Sequence, residues 1–146
     1  MHRLARVRLL AGIALLLGLA ITPMTPGWAQ QEGNTCDVQG ESRDCPGGIL
    51  ANANLAGTDL SGANLSGADM RGVNLQGAIL ADANLEGADL TDADLSTTTL
   101  TRARLNNAVL VRTSFLDADL AGAVFVGSTF GQTVCPDGHL TDGPAC

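Results

Sequence analysis

The sequence predicts an all-β protein built as one solenoid, a square coil of twenty residues per turn that makes a little over four coils. Three observations predict it. A large apolar residue recurs at every fifth position from Leu50 to Phe130 without an insertion. Two positions before it stands a smaller residue, most often Ala. Neither a helix of 3.6 residues per turn nor a flat strand of period two turns a strict five-step into one buried face.

The large residues form a ladder: Leu50, Leu55, Leu60, Leu65, Met70, Leu75, Leu80, Leu85, Leu90, Leu95, Leu100, Leu105, Leu110, Phe115, Leu120, Phe125 and Phe130. The small partners run from Ala53 and Ala63 to Ala118 and Ala123, with Gly48, Thr58, Val73, Thr98, Thr113 and Ser128 in the same slot. Between the two inward positions Asn or Asp is common, as at Asn54, Asp59, Asn64, Asp69 and Asp89. After the large residue comes a polar or small one and then often Gly, as at Gly57, Gly62 and Gly67. A chain that turns a corner every five residues satisfies this pattern. Each pentad sends one large and one small side chain inward and three outward. Four pentads close a coil, and coils stack at the strand spacing of ~4.8 Å, giving a rod of roughly 20 Å.

The pattern small–polar–Leu–x–Gly, seen in Ala63-Asn64-Leu65-Ser66-Gly67 and Ala88-Asp89-Leu90-Thr91-Asp92, resembles the pentapeptide-repeat family. The resemblance implies a right-handed quadrilateral β-helix over residues 48–132. It implies little about activity, because that family is functionally diverse.

The ends carry different signals. Residues 1–29 read as a signal peptide. Arg3, Arg6 and Arg8 precede an apolar run from Leu9 to Ile21, Pro23 and Pro26 break it, and Gly27 and Ala29 suit a cut before Gln30. The run is shorter than the ~20 residues of a membrane span, so an exported protein, periplasmic or secreted, is expected. Residues 30–47 and 133–146 then flank the repeat as cap segments. The four cysteines are Cys36, Cys45, Cys135 and Cys146, and an even count in an exported chain implies two disulfides. Cys45 and Cys135 fall on the five-step register at opposite ends of the rod. A disulfide needs Cα atoms within ~7 Å, so the expected pairing is local: Cys36–Cys45 and Cys135–Cys146.

Charge narrows the partners. Lys is absent, and the chain has eight Arg against fifteen acids. Removing Arg3, Arg6 and Arg8 leaves five Arg against the same fifteen acids, formally −10. Such a surface repels nucleic acid and anionic membrane. Residues twenty apart should stack, which sets Asp82 against Arg102 and Asp92 against Arg112. The same arithmetic stacks Asp69 on Asp89, two like charges. Towards the C-terminal end Phe replaces Leu at 115, 125 and 130, and outward positions turn apolar at Val109, Val111, Leu116, Val124 and Val126. These five form the candidate contact surface for a protein partner or for self-association, unless the tail from Thr133 packs over them, which is the expectation here.

No catalytic set is legible. His139 is the only His after residue 29, so neither a Ser-His-Asp triad nor a two-His zinc site is available. The two Asp-Gly steps at Asp137 and Asp142 lack the spacing of a calcium loop and read as turns. No cofactor and no metal are expected. The reading is a non-catalytic exported scaffold for structure or protein contacts. The alternative is an acidic DNA mimic acting on an enzyme such as gyrase, a role that some members of the resembled family play. Against it stand the signal segment, the short rod and the lack of a helical dimerisation tail. An enzyme is the least supported reading.

Overall fold

A computed structural model describes Val38, residues 43–143 and Cys146. The signal segment and Cys36 lie outside the described residues. The chain winds as a right-handed quadrilateral β-helix. Residues twenty apart pair in parallel throughout, from Ile49↔Asp69 through Asn64↔Asn84 and Arg104↔Val124 to Ser114↔Val134. Among the described residues four stretches are long enough to be strands. They are β1 (Val109–Val111), β2 (Thr129–Gly131), β3 (Thr133–Val134) and β4 (Leu140–Thr141). β1 and β2 are parallel neighbours in successive coils, and β3 and β4 form an antiparallel pair.

The core is one column. Every ladder residue from Leu50 to Phe115 is buried, and most are wholly inaccessible. The small residues from Ala53 to Ala118 close the gaps between them, apart from the half-buried Thr58. Where the small slot holds a buried hydroxyl, a backbone carbonyl satisfies it. Thr98 Oγ1 donates to Leu95 O at 2.6 Å, Thr113 Oγ1 to Leu90 O at 2.8 Å and Thr133 Oγ1 to Leu110 O at 2.6 Å. A buried hydroxyl without such an acceptor would be costly. The ladder changes at its end: Leu120, Phe125 and Phe130 are only half-buried.

Each corner from Leu50 to Ser128 is a turn closed by a carbonyl of the ladder residue, as in Ala53 N–H to Leu50 O at 3.0 Å. The residue after next from the ladder position has positive φ, near +65° at Gly57, Gly62 and Gly67. Positive φ at the third of four turn residues is the mark of a type II turn, which favours Gly. The Asn or Asp of the repeat has a local task that periodicity does not reveal. Its side-chain oxygen accepts the backbone N–H two residues on, as in Ser61 N–H to Asp59 at 3.0 Å and Ser96 N–H to Asp94 at 2.9 Å. That N–H points away from the inter-coil ladder, so the Asx turn occupies it.

Several corners do without Gly. Thr97 has φ of 57°, an outlier for a β-branched residue. It holds that conformation because its N–H donates to Leu116 O at 2.8 Å. Thr97→Asn should therefore stabilise the protein by about 1 kcal/mol, since Asn tolerates the left-handed region. The thermal midpoint should rise by about 5 °C. An unchanged or lower midpoint would show that the corner is not strained.

Candidate interaction surface

The outward columns carry the charge. Arg102 grips Asp82 with two bonds, Nε–Oδ1 at 2.8 Å and Nη2–Oδ2 at 2.6 Å. Arg112 grips Asp92 in the same way, with both distances 2.6 Å. All four residues occupy left-handed corners, so each ion pair ties one corner to the corner a coil above. Arg104 adds a bond to Glu86 at 2.7 Å. The stacked Asp69 and Asp89 are not an isolated carboxylate pair. Arg71 binds Asp69 through Nε at 2.8 Å and Nη2 at 2.6 Å, and its Nε lies 3.9 Å from Asp89. Sequence spacing placed the two acids together but missed the arginine, which reaches them from the corner two residues after Asp69.

These contacts hold the carboxylates in the ionised form. The Arg71 guanidinium draws the Asp69 carboxyl below the usual range, Arg102 does so for Asp82, and Arg112 for Asp92. The Ser61 hydroxyl and N–H do the same for Asp59. A carboxyl depressed in the folded state contributes stability above its unfolded pKa and loses it as pH falls through the folded value. The thermal midpoint should thus hold level down to about pH 4, where unfolded carboxylates protonate, and decline below it. Asp82→Asn with Asp92→Asn should flatten part of that decline. An equal decline in the double variant would remove these two pairs as its cause.

The five outward apolar residues do not form one patch. Val109 and Val111 are half-buried in β1, against Thr129 and Gly131 of β2. Val124 sits over Arg104 on the preceding face. Leu116 lies at another corner, with the turn at Gly138 above it. Leu116 and Val124 are each 41% exposed and Val126 is 73% exposed, so the tail, which comes near Leu116 at Gly138, leaves these three largely open instead of packing over all five as expected. Three further apolar residues are exposed: Leu140 in the reversed tail, and Ile49 and Ile79 in the repeat. The two isoleucines stand in the slot that is usually Asn or Asp, and that departure was visible in the column.

The apolar surface that does converge is the C-terminal end of the coil. Phe115, Phe125 and Phe130 gather there, with ring centroids 6.1 Å apart for Phe115–Phe125 and 6.0 Å for Phe125–Phe130. With Leu120, Ala123 and Cys146 they line an open hollow of about 210 Å³. The tail begins a fifth coil and abandons it. Thr133–Val134 stacks on the coil below, and then Gly138 N–H closes a turn onto Cys135 O at 2.9 Å. The Pro136-Asp137-Gly138 sequence is a turn signal, and it sends Leu140–Thr141 back along β3. Cys135, wholly buried on the ladder register, is bonded to Cys146 with a Cα–Cα distance of 5.2 Å. Cys45 is also disulfide-bonded, and its expected partner Cys36 is outside the described residues. Among the described residues no cluster of His, Cys, Asp and Glu could hold a metal.

Coils of this size and regularity define a class: a pentad-built parallel β-solenoid whose outward side chains are set in columns. The model of pentapeptide repeats matches residues 47–77, 68–107, 78–115 and 99–134, and the chain belongs to the pentapeptide-repeat family. Members of this family are generally structural and non-enzymatic. Among solved structures it is similar to Rfr23 from the cyanobacterium Cyanothece 51142. That match has 33% identity, a TM-score of 0.61 and 62% of each chain covered. It is also similar to AT2G44920 from the Arabidopsis thaliana thylakoid lumen, with 29% identity, a TM-score of 0.51 and coverage of 68% of this chain and 69% of that one. The plasmid-mediated fluoroquinolone resistance protein QnrB1 shares the fold at 23% identity and a TM-score of 0.59, with 62% of this chain and 44% of that one covered. The chain thus spans less than two thirds of the length of Rfr23 and of QnrB1. No curated protein matches it by sequence.

Proposed function

We propose that the chain acts as an exported, non-catalytic scaffold for protein contacts, after removal of residues 1–29. One observation carries this reading. The polar side chains of the repeat are committed to the coil itself. Asn and Asp hold the next turn's N–H, and the acids at several corners are clasped by Arg. Groups used in this way maintain a surface and are not poised to transfer protons or attack a substrate.

The DNA-mimic alternative draws on the acidic balance and on the fold shared with QnrB1. It is weakened by Arg71, Arg102 and Arg112, which neutralise acids along the columns where a mimic needs a run of unpaired phosphate-like charge. One experiment separates the readings. The full-length protein is expressed, its compartments are separated, and its N-terminus is sequenced. The scaffold reading expects a soluble exported product starting at Gln30, with no effect on DNA supercoiling by gyrase. An uncut cytoplasmic product that inhibits supercoiling would replace it with the mimic.

A further inference from the structure

We propose that the C-terminal end of the rod is a strand-addition site for a short segment of a partner protein that follows the open edge round one corner, apolar at its centre and basic at its flanks. This rests on the scaffold reading and names its contact.

The backbone is the first ground. In the coil below, Leu100, Arg102, Leu105 and Asn107 donate their N–H groups to Asp119, Ala121, Val124 and Val126 of the last full coil. The equivalent donors one coil up are Leu120, Gly122, Phe125 and Gly127. Their N–H groups have no acceptor among the described residues. The carbonyls of Ala118 and Ala123 lie on the same edge and likewise accept nothing. The reversal at Pro136-Asp137-Gly138 causes this. It stacks the tail on one face and leaves the next two faces with an open parallel edge. Open edges are templates for an added strand, and natural solenoids blunt them.

The hollow is the second ground. It lies inside the same edge, where a further coil would place its large residue. An apolar cavity of ~150 Å³ holds benzene, so about 210 Å³ has room for one large apolar side chain. An added strand would present such a side chain inward while its backbone pairs with the edge.

Charge selects the occupant. From residue 113 onward the sequence has Asp117, Asp119, Asp137 and Asp142 and no Lys or Arg. Asp119, Asp137 and Asp142 accept backbone N–H groups of Ala121, His139 and Gln132. Among the described residues none of the four pairs with an Arg, and only Asp137 has a basic partner, the His139 imidazole. A second copy docking end to end would set these acids against themselves, whereas Lys or Arg flanking an apolar strand would meet them.

Backbone amide spectra of the oxidised protein, titrated with three synthetic peptides, test the proposal. The probes are Lys-Thr-Val-Leu-Val-Thr-Lys, the same peptide with Glu at both ends, and the basic peptide with Ser in place of Leu. The basic apolar peptide should shift the amides of Leu120, Gly122, Phe125 and Gly127 saturably. The other two should bind at least tenfold more weakly. Shifts centred on Val111, Ile49 or Ile79, equal binding of the acidic peptide, or no binding at millimolar peptide would overturn it. So would broadening of those four amides with protein concentration alone, which would make a second copy the occupant. None of these outcomes touches the scaffold reading, which fails only on compartment and gyrase activity.

Discussion

Leu90→Lys should leave the chain without its β-sheet dichroism and without a cooperative thermal transition. Leu90 is wholly inaccessible and stands in the column between Met70 and Leu110. Coils close it above and below, so a lysine stem has no route along which to carry its ammonium to water. The carbonyls nearby are engaged: Leu90 O accepts from Ala93 N–H and from Thr113 Oγ1. Burying an unpaired charge there exceeds the roughly 5–15 kcal/mol by which small domains are stable. Leu85→Asp should behave alike. Leu90→Ala leaves only a cavity and should fold with about 3 kcal/mol less stability. Phe125→Lys is the contrasting case. Phe125 is half-buried beside the open end, where a lysine stem can lie over apolar surface and reach solvent. A folded Leu90→Lys protein would mean that the interior column is wet or that the register is wrong.

Opening the Cys135–Cys146 bond has the next largest expected effect. The loop it closes spans 11 residues, for which chain entropy predicts about 3 kcal/mol. Cys146→Ser should therefore lower the thermal midpoint by more than about 10 °C if the tail unfolds together with the coil. Solenoids are stabilised by nearest-neighbour contacts, so the loss should be local at first. Amide exchange should quicken at Cys135, Gly138 and Gln132, whose N–H groups bond His139 O, Cys135 O and Asp142. It should stay slow at Leu90. An unchanged midpoint with unchanged exchange would show that the turn and β3–β4 pairing hold the tail unaided.

Particular residues show where the residues alone suffice. The five-step recurrence demands a corner every pentad and so stacks residue i on i+20, which is how Asp82–Arg102 and Asp92–Arg112 follow by arithmetic. The turn at Asp137-Gly138 follows from local backbone preference. These features are repeated or local, so they need no knowledge of distant chain. The left-handed Thr97 does not follow, because its own propensity opposes that conformation and only the inter-coil bond to Leu116 O maintains it. Arg71 is similar: its reach to Asp69 and Asp89 depends on a corner geometry that the alphabet of the repeat does not state.

The seam between the two kinds of knowledge is the end of the rod. The coil, its inward ladder and the shift from Leu to Phe towards residue 130 are all written in the recurrence. The spread of Val109, Val111, Leu116, Val124 and Val126 over more than one face, and the folding of the tail over one face while the others stay open, emerge in the folded coil. The reason is physical. A strict repeat encodes its own neighbours, since every coil supplies the donors and acceptors for the next. Once the repeat stops, the choice of edge for the tail rests on long-range packing of Cys135, the Cys146 bond and three phenyl rings, and no period in the chain records it.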